Sequence, residues 1–388
     1  MRRGTRLHAS HGPALNGRPR AVFHTLRREW PLSASVATAA LFFVFGKRWL
    51  ADLSSSVWFA FMLAWLFGAI MVSAFAVVRH AEGLAELLGE PIGTLVLTLS
   101  MSGMEMMMIA AVMYAGHGES SLARDTMLAI VMIVLNGLVG VSLLLGGLRY
   151  HEQTYNLYGA NAFLAVILPL SVLGLVLPSF TVSSPGPTLS PLQSGFLIIT
   201  SVGLYSVFLA IQTLLHRDYF VSPGAASSAP ASHDAPEVHS ARRHSLLLIA
   251  YVLPVVFLAK QIAVPIDYGI SVLGAPTALG GLLVAVLILS PESLAAVRAA
   301  LANRLQRSIN LALGTALSSI SLTIPAVLAI GFITNRTIIL GLDAPDATLL
   351  VLTLVVSMLT FALERTNVLL GAVHVLLFLA YLMLIFER

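Results

Sequence analysis

Eleven apolar stretches divide the chain, each bounded by charged residues, glycine or proline. They cover roughly residues 31–48, 56–78, 91–115, 124–147, 160–178, 191–215, 244–263, 267–290, 308–333, 346–363 and 367–386. Most reach or approach the ~20 residues needed to cross a bilayer as a helix. Lipid offers no partner to an open backbone group, so each stretch is expected to be helical. The eighth is expected to continue past Pro291 to about Ala302. The predicted fold class is an all-α polytopic membrane protein with about 11 transmembrane helices.

The polar segments between these stretches set orientation and subdivision. Residues 1–30 read as a tail, with seven arginines among the first 28. The apolar run behind them lacks the short core and small-residue cleavage signal of a secretory leader. With the N-terminus inside, sixteen of the 22 Lys and Arg residues fall on the cytoplasmic side. They include Arg79, Arg149, Arg217, Arg242, Arg243, Arg298, Arg304, Arg307 and Arg365. The opposite side receives Lys47, Arg48, Arg124, Arg336 and Arg388, with Lys260 near a span end. This asymmetry follows the positive-inside rule. Residues 216–243, rich in Ser, Pro, Ala and His, read as a flexible cytoplasmic linker. It separates a first transmembrane half (31–215) from a second (244–388). His216, His233, His239 and His244 in or beside it permit a pH-sensing or metal-binding tract, but a solvated linker is the preferred reading.

Composition narrows the function classes. Hydrophobic residues make up 57% and charged residues 10%, against roughly 25% charged in soluble domains. No room remains for a separate catalytic domain, and neither H-E-x-x-H nor a paired catalytic Asp motif is apparent. The chain is therefore expected not to be an enzyme and to need no cofactor. Without cysteine, disulfides, thiolate catalysis and Cys-based metal sites are excluded. The sequence pI near 9.6 needs no nucleic acid to explain it, because topology-setting arginines suffice. The expected partners are the bilayer, inorganic cations and protons.

Two acids stand alone inside apolar runs. The first run reads Gly89-Glu90-Pro91, an apolar stretch, then Ser102-Gly103-Met104-Glu105. The second reads Gly274-Ala275-Pro276, an apolar stretch, then Ser290-Pro291-Glu292. The glycine-to-glutamate spacing is 16 residues in one and 18 in the other. A charge at membrane depth is costly and marks a functional site by default. Each acid is followed by a polar break and a second span, so each unit is a hairpin (about 80–148 and about 266–333). In the topology above the two units are inverted, an arrangement that lets a central site open alternately to either face.

Gly103 and Pro291 are helix-disturbing residues close to the acids; a disturbed turn there would free carbonyl oxygens as cation ligands, the alternative being a simple kink. Thr98, Ser102, Asn136, Ser290, Ser293, Asn310 and Ser318 are candidate supporting ligands, with Ser100 and Ser319 in the same set. Together with Glu105 and Glu292 they suit a hard cation, which takes oxygen ligands. Glu82, Glu86 and Glu90 fall four residues apart and form a candidate cytoplasmic entrance, with His117 and Glu119 a weaker counterpart outside. Met104, Met106, Met107 and Met108 point to different helix faces and read as packing. Arg304 and Arg307 read as topology determinants.

The segments His80–Thr94, Leu122-Ala123-Arg124-Asp125-Thr126 with Asn136-Gly137, and Pro291-Glu292 through Asn303–Gly314 are long and specific. On them the chain resembles the cation/calcium exchanger superfamily, in its bacterial calcium/proton antiporter branch. The resemblance implies an eleven-helix fold with inverted repeats. It implies exchange of calcium, and often sodium or potassium, for protons, with Glu105 and Glu292 as the paired carboxylates. Many members carry Gly-Asn before the repeat acid, and its absence here bears on ion selectivity. A monovalent sodium or potassium/proton antiporter is the alternative on the same fold. The expected residence is a bacterial inner membrane.

Overall fold

The structure, a computed structural model, describes residues 29–89, 92–115, 121–222 and 238–387. The expected tail through residue 28, Glu90, His117, Glu119 and linker residues 223–237 lie outside the described residues. Among the described residues eleven helices follow in chain order. They are α1 (Trp30–Trp49), α2 (Ser56–Leu88), α3 (Ile92–Ala115), α4 (Leu122–Tyr150), α5 (Leu157–Ser179), α6 (Pro191–Leu215), α7 (Val238–Ser271), α8 (Thr277–Leu301), α9 (Leu305–Thr334), α10 (Ala344–Thr360) and α11 (Val368–Phe386). Ten are long and apolar enough to cross a membrane, and α10 is an apolar helix of 17 residues. A two-residue ribbon pairs β1 (Gln153–Thr154) with β2 (Arg365–Thr366).

Several boundaries differ from the apolar pattern. The second helix runs ten residues past its expected end at 78, through Arg79 and Glu86 to Leu88. Nothing in that polar stretch breaks a helix before Gly89, whose φ of 63° only glycine adopts readily. Glu82 and Glu86 therefore belong to the end of α2 and not to the start of the third span. The expected break near 263–267 is absent, because α7 continues through Pro254 and Pro265 to Ser271. Its real terminator is Gly274-Ala275-Pro276, with Gly274 at φ 72°. The expected linker 216–243 is structured at both ends: Arg217–Phe220 forms a 3-10 turn, and α7 begins at Val238.

The eighth helix runs past Pro291 to Leu301, close to its expected end, and Gly103 frees no turn of the third. α3 and α8 are continuous across both. Proline costs only the bond to the carbonyl one turn earlier, a loss that neighbouring helices and hydroxyls compensate in membranes. The irregular backbone lies elsewhere, in wide π-helical turns at Met132–Leu138 of α4, Val172–Val176 of α5, Ile211–Leu215 of α6 and Ser319–Thr323 of α9. Such turns occur frequently at functional sites.

The helix contacts repeat with a period of five helices. α4 packs on α8 and α11, and α9 packs on α3 and α6. α2 and α7 form a further extensive pair. The loops sort into two faces. Gln153 donates to the Ala300 carbonyl at 3.0 Å and Tyr150 to that of Leu301 at 2.8 Å, joining the α4–α5 and α8–α9 connections. On the other face Arg124 donates to Gly341 at 3.3 Å, and the Leu342 amide to Leu175 at 2.8 Å. Loops that alternate along the chain thus alternate between faces, as membrane crossings require.

Candidate functional site

Glu105 sits mid-way along α3 and is 3% exposed. Its carboxylate accepts from Ser319 Oγ at 2.7 Å and from Thr323 Oγ1 at 3.1 Å. Glu292, on α8, accepts from Thr315 Oγ1. The three donors come from one helix, α9, at four-residue intervals. That spacing lines them along one face, with the last two inside the π-helical turn. One stripe of hydroxyls therefore serves both acids. Thr315, which holds Glu292, lies one turn of α9 from Ser319, which holds Glu105.

A cavity of about 390 Å3 reaches Glu292. Thr98 of α3 and Thr315, Ser318 and Asn310 of α9 line it beside the acid. Glu82 and Arg307 line it further along. Its end therefore lies on the face that carries the arginine-rich α8–α9 connection. Ser102, one turn before Glu105, is buried, and its hydroxyl has no hydrogen-bond partner among the described residues.

The expected site residues divide into two groups. Glu292, Thr98, Asn310, Ser318 and Glu82 share the cavity, and Ser102 accompanies Glu105. Asn310 also ties the wall together, donating to the Phe220 carbonyl at 2.7 Å and accepting from Gln306 at 2.9 Å. Asn136 is turned away. It donates to Thr353 Oγ1 at 2.8 Å and meets His374 Nδ1 at 3.1 Å, and these contacts join α4 to α10 and α11. Ser290 donates back to the Val286 carbonyl of its own helix. Ser293 is half-buried and does not line the cavity. Glu86 is exposed on α2.

Thr315 and Thr323 were not expected, and Arg307 was read only as a topology charge. The signal for the hydroxyls was present as the 315, 319, 323 spacing. Serine and threonine are so common at helix interfaces in membranes that the pattern does not stand out. Thr315→Val keeps the shape of the side chain but removes the donor to Glu292. A hydrogen bond to a charged group is worth about 1.5–3 kcal/mol. The concentration at which a cation half-saturates this site is therefore expected to rise by about 10–100-fold in reconstituted vesicles, while Thr315→Ser stays near the parent.

Comparison with known proteins places this geometry. The family model described as sodium/calcium exchanger protein matches residues 58–214 and 244–387. The chain is 42% identical over 318 residues to the putative ionic transporter y4hA of Sinorhizobium fredii strain NGR234, covering 82% of this chain and 86% of the relative. It is 42% identical over 319 residues to the sodium-potassium/proton antiporter ChaA of Escherichia coli K12, with the same coverage. The solved Ca2+/H+ antiporter protein YfkE superposes with a TM-score of 0.68 at 18% identity, covering 92% of this chain and 99% of that one. At that identity the likeness concerns the fold.

Proposed function

The chain belongs to the sodium/calcium exchanger protein family, and we propose that within it the protein is a secondary cation/proton antiporter of the bacterial cytoplasmic membrane. It exports calcium, with sodium or potassium as further substrates, while protons enter. The observation that carries this reading is the pair of carboxylates on α3 and α8, Glu105 buried and Glu292 half-buried on the cavity, both held by hydroxyls of α9.

The coupling follows from charge. Two neighbouring carboxylates in a poorly solvated site cannot both remain bare, because desolvation and mutual repulsion oppose it. One divalent cation or two protons neutralise the pair equally well, so the two loads compete for one site. A doubly charged empty site does not cross the low-dielectric barrier, and cation movement is thereby tied to proton movement. Hydroxyl and carboxylate oxygens form the hard-ligand set that calcium takes.

Alternating access needs a site reached from one side at a time. The cavity reaches Glu292 from the arginine-rich face, which the positive-inside rule makes cytoplasmic. Glu105 stays closed beneath α9. This conformation therefore receives cations from the cytoplasm, with Glu82 on the approach.

A second reading has its own support. The relative from Escherichia coli is named a sodium-potassium/proton antiporter, and a monovalent exchanger would use the same two acids. Uptake of radiolabelled calcium into proteoliposomes under an imposed pH gradient separates the two. Gradient-driven uptake that excess sodium or potassium only partly inhibits supports calcium export. Gradient-driven sodium or potassium movement with no calcium uptake replaces it with the monovalent reading.

A further inference from the structure

A second polar centre lies away from the glutamate pair, where α1, α2 and α7 meet at the arginine-rich face. Glu29, directly before α1, is 8% exposed, and His80 of α2 is 3% exposed. The Glu29 carboxylate accepts from Arg79 Nη2 at 2.6 Å and Tyr251 Oη at 3.0 Å, and His80 Nε2 lies 3.3 Å from it. Arg243 of α7 approaches its other oxygen at 3.7 Å. The remaining ring nitrogen of His80 faces that of His244, Nδ1 to Nδ1, at 3.1 Å. The Tyr251 ring stacks on the opposite side of His80, with centroids 5.6 Å apart.

The seat of His244 is shaped for an imidazole. A methyl group at Gly83 would come within 2.6 Å of the His244 ring, so glycine leaves the space that the ring fills. This contact and the His80–His244 bond hold the first turns of α7 on α2.

We propose that the Glu29–His80–His244 cluster is a proton-operated latch between α2 and α7. The proton count follows from the contacts. His80 Nε2 lies 3.3 Å from both the Glu29 carboxylate and Arg79 Nη2, so it either donates to the first or accepts from the second. The Nδ1–Nδ1 bond then needs one N–H and one lone pair. Neutral imidazoles satisfy it, and so does a pair sharing one additional proton. A second additional proton leaves two N–H groups and two cations face to face. They would stand beside Arg79 and Arg243, with Glu29 the one carboxylate among them. Histidine changes charge between about pH 5 and 8, and the opening proton is the second one added to the pair, so the latch opens toward the acid end of that range.

Glu29 stays ionised across that range. Burial pushes its carboxyl up, but the hydrogen bonds from Tyr251 and His80 and the charge of Arg79 outweigh this and hold it below its ordinary value. Glu82, two residues beyond His80, lines the cavity to Glu292. The latched state is the one in which that cavity is formed, so release disturbs its mouth and slows exchange when the cytoplasm acidifies.

The chain has no native cysteine, so spin labels at Leu88→Cys and Leu246→Cys report the α2–α7 separation specifically. The expected result is one distance at about pH 8 and an added, longer distance at about pH 5. Gly83→Ala, which displaces His244 without changing any titratable group, should show the longer distance at both. His244→Gln should remove the pH dependence and flatten the acid side of the transport profile. An unchanged parent distance between the two pH values, or a shift that persists in His244→Gln, overturns the latch. Glu292→Gln should keep the shift, so failure of the latch and failure of the transport site are read separately.

Discussion

Glu105→Gln and Glu292→Gln, each alone, should reduce proton-coupled cation exchange to the background of empty vesicles while the protein folds and inserts. Glutamine keeps the size of the side chain and one carbonyl oxygen but carries neither the charge nor the exchangeable proton. Even residues that merely orient a metal ligand cost about 10–100-fold in affinity when changed. Loss of a direct ligand should therefore exceed about 100-fold. Folding should survive, because a buried carboxylate is a burden on the native state and a neutral amide relieves it. Thr315 can donate to the amide oxygen at position 292, and at position 105 one of Ser319 and Thr323 can donate to the amide oxygen while the other accepts from the amide NH2. Gel-filtration behaviour and melting temperature in detergent check the fold, and reconstituted flux checks the activity. Either variant retaining a tenth or more of parental exchange would remove its acid from the mechanism.

Gly371→Leu should be the most destabilising single change on the α4–α11 seam. A Cβ at that position would lie 2.4 Å from the Leu144 backbone nitrogen and 2.9 Å from the Gly140 carbonyl oxygen. Backbone atoms of a packed helix cannot step aside as a flexible side chain would. A Cβ at Gly140 on the opposing helix would in turn meet His374 and the Val375 amide nitrogen at 2.9 Å. The helices approach closely because both carry glycine, the usual means of tight association in membranes. Overpacking a filled interface costs about 1–3 kcal/mol. Here the displacement would also pull His374 from Asn136, whose bond is 3.1 Å long, and Asn136 lies in the π-helical turn of α4. Thermal unfolding in detergent should show a clear loss for Gly371→Leu. Gly195→Leu, at a position with nothing within 4 Å, should remain close to the parent. Equal stability of the two variants would contradict the packing account.

The physics of lipid made much of this architecture readable from sequence. Apolar stretches must be helices, and a lone carboxylate within one must have a purpose, so the spans and Glu105 and Glu292 were evident. Features set by distant parts of the chain were not. The polar run Arg79–Glu86 looks like a membrane boundary by composition, yet it continues α2, because helices end at breakers rather than at charges. Pro265 looks like a break, yet α7 passes through it. Asn136 stands in its repeat where a ligand would be expected, but Thr353 and His374 draw its side chain to α10 and α11. Thr315 and Thr323 were hidden among many hydroxyls that serve packing. The Glu29 cluster gathers residues 29, 79, 80, 243, 244 and 251, and local periodicity does not bring such positions together.

Proton movement in everted membrane vesicles under an imposed pH gradient tests the exchange reading most directly, with calcium, sodium and potassium added one at a time. The account predicts proton release from the vesicles on addition of calcium, and no release in Glu105→Gln or Glu292→Gln vesicles. A response to sodium or potassium alone would keep the site and change the substrate. No cation-dependent proton movement with any of the three, in vesicles shown to contain folded protein, would contradict cation/proton exchange at these two glutamates.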